Sequence, residues 1–459
     1  MALVVLCGTI LLSVLNASMT SLAMPGIQRD FGVATDDLAW VVTAYLIPFA
    51  TGTVLYGRLA DMFGTRRMFL FGLVLFAAAS FAVAAAPTFG LLVVARALQG
   101  FGGTAIPSLS MATIIRTTTP HDRGRAMGAT ILTVGVGFGI GPLAGGALTD
   151  LGGWHGPFVA TGIGAAAIVP LALFLVPSVQ GVAGQRFDFA GATFLTGAVT
   201  GDVLALNRLP SHPGDALGLA GLIVSLPLWV LLVYRVRMAA EPFINREVAG
   251  NRGFLALAVL GFTAQGAHFA VIVMIPLLLT GAHGMGVIDV GLRLLPGAVA
   301  IAFCGMAGGM LLNRLGARPL LVTGTALLLA GVAVFHVSGT GWGPWAIGLL
   351  YVVIASGYGL VNAAVVTAAT GRLPERLAGV GSGTFNLIFF LGGAVSVALA
   401  GAILRRRAGA ADAFDPLVSG GQAAYSDALL VVVAFALLGL LLALAFAPGR
   451  RRPSPSGHR

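Results

Sequence analysis

Apolar runs long enough to cross a bilayer recur fourteen times along this 459-residue chain, a pattern that leaves few folds open. A membrane-crossing helix needs about 20 mostly apolar residues, because each residue rises about 1.5 Å against a hydrocarbon core of about 30 Å. The runs fall at 2–24, 38–60, 68–86, 91–115, 127–149, 156–176, 190–206, 217–234, 254–279, 291–312, 319–338, 345–369, 377–404 and 428–447. The seventh is short and holds Asp202, yet without it the count turns odd and the arginine pattern loses its phase. Composition agrees, since 58% of residues are hydrophobic and 9% charged, where a water-soluble domain carries about 25% charged. The expected fold is all-α, integral to the membrane, with 14 transmembrane helices.

The arginines give the orientation. With a cytoplasmic N-terminus, eighteen fall in inside loops, among them Arg66, Arg67, Arg116, Arg186, Arg235, Arg318 and the tail from Arg450. Five fall outside, namely Arg29, Arg208 and Arg405 to Arg407, so both termini are expected in the cytoplasm. The trio at 405–407 is expected at the outer headgroup level, opening a loop that carries Asp412 and Asp415. The net charge of +10 therefore marks membrane topology and not a nucleic-acid partner, because no basic stretch interleaves with aromatics over a polar surface. The N-terminus lacks a basic stretch before its apolar run and does not read as a cleavable signal. Cys7 and Cys304 both lie in apolar runs, where a structural disulfide is not expected.

Two segments match at an offset of 252 residues: GRLADMFGTRR from Gly57 and GMLLNRLGARP from Gly309. Gly57 pairs with Gly309, Gly64 with Gly316, Arg66 with Arg318, and Asp61 with Asn313. An eight-helix offset is what two six-helix halves give with two extra helices between them. The expected division is 1–186 for the first half, 187–252 for the inserted helices and a cytoplasmic linker, 253–448 for the second half, and 449–459 for a disordered basic tail. Such pseudo-symmetric halves are the architecture of secondary transporters, with the substrate site near the midplane between them. Asp61, Arg66 and Arg67 can form an ion-pair and helix-end network that breaks when the halves rock; the alternative is that they only anchor a cytoplasmic loop.

Three further stretches carry chemistry. RALQGFGGTAIPS (Arg96–Ser108) puts an arginine and a glutamine inside the fourth helix, where a charge is costly and points to function. GVGFGIGPLAGG (Gly135–Gly146) sets Gly141, Gly145 and Gly146 around Pro142, giving the fifth helix a groove and a point to bend. LLSVLNASMTSLAMPGI (Leu11–Ile27) spends Asn16, Ser18, Thr20 and Ser21 in an apolar run without a charge, then stops at Pro25.

GRLADMFGTRR, RALQG and GIGPLAGG resemble the motifs of the drug–proton antiporters of the major facilitator superfamily. Fourteen helices and the Trp40–Asp61 stretch resemble its fourteen-helix branch, and LLSVLNASMTSLAMPGI, EPFINREV and TFNLIFFLGG follow in the order seen in Gram-positive tetracycline exporters. The resemblance spans almost the whole chain and implies export of amphipathic drugs by alternating access, driven by protons. It also implies acids in the first, fifth and thirteenth helices, yet the matching stretches read LNASM, GVGFGIGP and FFLGGAV. Asn16 stands where multidrug relatives carry Asp, and an amide cannot take up and release a proton.

The candidate substrate site consists of Asn16, Thr20, Trp40, Tyr45, Gln99, Phe138, Gln265, His268, Asn362 and Asn386. Asn and Gln also hydrogen-bond membrane helices to one another, so part of this set serves packing. Candidates for coupling and gating are Asp61, Arg66, Arg67, Arg96 and Asp202, the last being the carboxylate set well inside an expected span. No phosphate-binding GxxxxGK[ST] loop, catalytic motif or paired metal spacing occurs, so neither an enzyme nor a cofactor or metal site is expected. The expected partners are a small amphipathic substrate, the lipid bilayer and protons, with the protein monomeric. Two other readings stay open: an uncoupled facilitator of the same fold, or a non-transporting sensor.

Overall fold

The computed structural model describes residues 1–33, 35–178, 187–209, 214–239, 241–374, 377–407, 414 and 422–446. Arg186, Arg376, Asp412, Asp415 and the tail at 449–459 lie outside the described residues, as do the side chains of Ser21, Arg123, Phe138, Pro142 and Asn313. The described elements are α1 (Ala2–Phe31), α2 (Thr35–Phe63), α3 (Thr65–Ala84), α4 (Phe89–Thr117), α5 (Pro120–Gly152), α6 (His155–Leu175), α7 (Phe189–Arg208) and α8 (Ala216–Met238). A short α9 (Arg246–Gly250) precedes α10 (Arg252–Gly281), α11 (Val287–Leu315), α12 (Ala317–Val337), α13 (Pro344–Thr370), α14 (Ala378–Arg406) and α15 (Ala423–Ala445).

Among the described residues, thirteen helices are long and apolar enough to cross a membrane. The fifth helix makes a fourteenth when its arms at 125–141 and 143–152, bent by 47°, count as one span. That bend falls at the position of Pro142, as the glycine-flanked sequence leads one to expect. Elsewhere the helices outrun the apolar runs. α1 passes through Pro25 and ends at Gly32, whose φ of 62° is the left-handed cap that glycine supplies. Neighbouring helices accommodate a proline inside a membrane helix, so Pro25 does not stop it. α15 begins at Ala423, which brings Asp427 inside the helix, fully buried, although the apolar run starts one residue later.

The repeated turns share one geometry. Gly64 caps α3 with φ 93° and Gly316 caps α12 with φ 80°, conformations that a side chain would strain. Their equivalence follows the 252-residue offset and shows that the two segments make the same helix-to-helix turn.

Packing gathers α1, α3, α4 and α6 with α2 and α5 on one side, and α10, α12, α13 and α15 with α11 and α14 on the other. The seam between them is made by α5 against α11 and by α2 against α14. α7 and α8 pack on each other, and α7 touches both α2 and α14 at the seam. A cluster of Val54 from α2, Leu195 and Val199 from α7, and Leu387 from α14 fills that junction.

Candidate functional site

One end of the seam is tightly closed. The Asp61 carboxylate, 5% exposed at the end of α2, pairs with Arg116 at the end of α4. Arg116 also donates to Thr65 Oγ1 at 3.0 Å. The second carboxylate oxygen accepts the backbone N–H of Val380 at 3.2 Å. That N–H is one of the donors that the first turn of a helix leaves unsatisfied, and the helix dipole favours an anion there. Glycines let the two helices meet: a Cβ on Gly57 would overlap the Gly379 carbonyl, and one on Gly383 would overlap that of Thr53. One carboxylate therefore clasps α2, α4 and α14 where their backbones touch. The arginine in the clasp is Arg116; among the described residues neither Arg66 nor Arg67 pairs with a carboxylate.

Halfway along α1 and α4 lies a buried polar network. Arg96, 2% exposed, donates through Nε to the Val41 carbonyl at 2.9 Å and through Nη1 to Gln99 Oε1 at 2.6 Å. Gln99 Nε2 in turn donates to Asn16 Oδ1 at 3.1 Å and Ser80 Oγ at 2.8 Å. The guanidinium carbon sits 4.5 Å from the Tyr45 ring centroid and 5.6 Å from that of Phe158. Every one of these partners is neutral, so cation–π contact and amide dipoles hold the charge. Asn16 Nδ2 is buried without a hydrogen-bond partner. Thr20 bonds back to the Asn16 carbonyl at 2.7 Å, so its hydroxyl satisfies its own helix.

A matching network ties α10 to α13. Tyr358 donates to Gln265 Oε1 at 2.6 Å and accepts from Asn362 Nδ2 at 3.4 Å. The His268 ring stacks on Tyr358 at 3.8 Å, and its Nε2 meets Tyr351 OH at 3.2 Å, while Nδ1 has no partner. α1 and α4 are the counterparts of α10 and α13 under the repeat, so each side of the molecule carries one polar pair of helices at mid-length.

A cavity of ≈ 260 Å³ opens between the two sides, bordered by Ser18, Gly139, Phe269, Pro276, Leu294 and Tyr351. It lies away from the clasp: Asn251, at the clasp end of α10, bonds the Arg372 carbonyl, and Pro276 stands about 36 Å further along that helix. Tyr351 links the cavity to His268; Asn16 faces α4 and stands behind Ser18.

The remaining candidates are spread out. Trp40 is half-buried, its ring 5.6 Å from the Arg208 guanidinium, beside α7. Asn386 is buried on α14 with Nδ2 unpartnered. Asp202 on α7 accepts from Trp229 Nε1 of α8 at 2.8 Å. Gly141 and Gly145 pack against Ser18 and Met19 of α1, while Gly146 faces open space.

Sequence reasoning missed several buried charges. Arg58, 7% exposed, pairs with Glu241 at 3.2 Å and joins α2 to the segment after α8. Asp188 caps α7 and accepts from Arg235 and from the Phe243 N–H. Asp427 accepts from Arg407 at 2.6 Å and from the Phe414 N–H at 2.8 Å, so Arg407 serves a buried pair. Glu241 and Phe243, which meet Arg58 and Asp188, both belong to the EPFINREV stretch.

The sequence profile described as Major Facilitator Superfamily matches residues 6–397. Multidrug resistance protein 3 of Bacillus subtilis is 27% identical over 86% of this chain and 77% of its own. The tetracenomycin C resistance and export protein of Streptomyces glaucescens is 26% identical over 87% and 75%. The puromycin resistance protein of Streptomyces alboniger is 31% identical over 86% and 80%. Among solved structures, the human organic anion transporter MFSD10 aligns with a TM-score of 0.68 at 15% identity, over 96% of this chain and 98% of its own. The proton:xylose symporter XylE gives 0.68 at 15%, over 97% and 95%.

Proposed function

The chain belongs to the Major Facilitator Superfamily, as a multi-pass transporter of the plasma membrane, and from that premise we propose that it exports amphipathic drugs or antibiotics by alternating access. The observation that carries this reading is the asymmetry along the seam. Asp61, Arg116 and Val380 clasp one end, and the cavity beside Tyr351 lies toward the other. With the positive-inside pattern the clasped end is cytoplasmic, so this is a state closed to the cytoplasm. The moving bodies are the six-helix halves 1–186 and 253–448, with 187–252 inserted between them. Breaking the clasp exposes the mid-length polar pairs, α1 with α4 and α10 with α13, to a substrate from inside. The relatives named for multidrug, tetracenomycin C and puromycin resistance support an amphipathic cargo.

Proton antiport is the proposed drive, with Asp202 as a carboxylate inside a span and Arg96 as the buried charge. A second reading, uncoupled export, is favoured by the neutral partners of Arg96 and by Asn16 in place of an acid. Purified protein in proteoliposomes separates the two. Puromycin or a lipophilic dye should be driven across the membrane, and an imposed pH gradient should accelerate the flux if protons are coupled. Flux that ignores the gradient leaves the uncoupled reading; no flux for any cargo in a broad panel removes the export reading.

A further inference from the structure

A groove larger than the seam cavity lies away from it, on the bilayer face between α2 and α7. It holds ≈ 710 Å³ and is walled by Leu55, Leu59, Met62 and Phe63 of α2 and by Phe187, Phe189 and Thr196 at and along α7. Its walls are almost wholly apolar, and Phe63 and Phe189 stand exposed at its mouth. From Leu55 to Phe63 the groove runs about 12 Å along the helix, close to the depth of one leaflet in a core of about 30 Å.

The mouth is basic. Arg66 and Arg67 begin α3 just past Phe63, with Arg67 exposed. Arg235, at the end of α8, bonds Asp188, which sits between the two groove phenylalanines, and its side chain remains 44% exposed. An apolar slot one leaflet deep with a cationic rim at the headgroup level has the shape and charge of an anionic phospholipid. The groove side of α2 also lies behind its clasp side. Leu55, Leu59 and Met62 face the groove, while Thr53, Gly57 and Asp61 face α14.

We propose that the groove between α2 and α7 binds an anionic phospholipid, with an acyl chain against Leu55, Leu59 and Phe63 and the phosphate among Arg66, Arg67 and Arg235. The lipid fills the space behind α2 and holds that helix against α14, favouring the clasped state. This goes beyond the export reading and does not depend on which cargo moves.

Native mass spectrometry of the full chain released from nanodiscs tests it, with phosphatidylglycerol and phosphatidylcholine of matched chains at equal content. The native protein should retain phosphatidylglycerol in preference to phosphatidylcholine. Thr196→Trp fills the groove from an exposed position and should lose the adduct, while Arg67→Gln should erase the headgroup preference and leave chain binding. A second readout uses Ser382→Cys on α14, buried where that helix meets α4 across the same closed end, in a Cys7→Ala, Cys304→Ala background, where phosphatidylglycerol should slow thiol labelling in the parent but not with Thr196→Trp. Equal retention of both lipids by the native protein, or an undiminished adduct in Thr196→Trp, would overturn the proposal. Because these readouts need no transport, a failed efflux assay leaves them standing.

Discussion

Asp61 and Val380 stand 319 residues apart in the chain and meet through one hydrogen bond of 3.2 Å, carboxylate to backbone N–H, at the start of α14. The same carboxylate pairs with Arg116, so a single side chain binds the two sides of the seam and neutralises a nearly buried cation. The bond to Val380 is lost if α14 moves away, whereas the pair with Arg116 lies within one side and travels with it. The clasp can therefore open without stranding a charge.

Asp61→Asn separates these two roles, because the amide oxygen can still accept from Val380 while the charge opposite Arg116 disappears. Arg116 is 11% exposed, and removing one partner of a buried pair costs about 3–5 kcal/mol. Thermal unfolding in detergent should show a clear loss of stability. The double variant Asp61→Asn, Arg116→Gln should lose less than the sum of the singles, and an additive result would mean that the pair contributes no coupling.

Gly383→Ala tests the backbone contact without touching a charge. The added methyl would overlap the Thr53 carbonyl, and overpacking of this kind costs about 1–3 kcal/mol. Since only the closed arrangement carries the clash, the change should shift the protein toward the state open at the Asp61 end. Labelling of a cysteine at Ser382 should then rise; unchanged labelling would show that α14 relaxes in place.

How much of this was readable beforehand follows from which forces act locally. Gly64 and Gly316 announced their turns because a positive φ admits little else, and the offset of 252 residues exposed the repeat. Asp61 was recognisable as a candidate for an ion pair at this turn, but its arginine was not. The positive-inside pattern fixes the side on which Arg66, Arg67 and Arg116 lie and says nothing about which one meets a carboxylate. Asp427 escaped notice because hydropathy ends a span where charge begins, while the helix continues once Arg407 supplies a partner. Asn16 was legible as a polar exception, yet its orientation toward Gln99 depends on helix rotation, which an apolar run leaves undetermined.

Trp229→Phe probes the inserted pair. The indole N–H donates to Asp202 at 2.8 Å in a partly buried setting, and losing a hydrogen bond to a charged group costs about 1.5–3 kcal/mol. Stability should fall, and Asp202→Asn added to Trp229→Phe should restore part of it. If Asp202→Asn alone leaves both stability and the pH dependence of flux intact, Asp202 is neither anchor nor proton carrier.

Asn16→Asp bears most directly on the coupling. Its amide oxygen is two hydrogen bonds from the Arg96 guanidinium, through Gln99, and that buried cation has neutral partners. Asn16 Nδ2 makes no close hydrogen bond, so a carboxylate oxygen in its place disrupts little. The new carboxyl would give Arg96 a counter-charge when ionised and would leave the present neutral arrangement when protonated. It can therefore exchange a proton as the seam opens to either side, which the amide cannot. In proteoliposomes the variant should gain acceleration of export when the side receiving the cargo is made acidic, beyond any that the native protein shows. An unchanged response would mean that coupling in this chain, if present, runs through groups other than the α1–α4 pair.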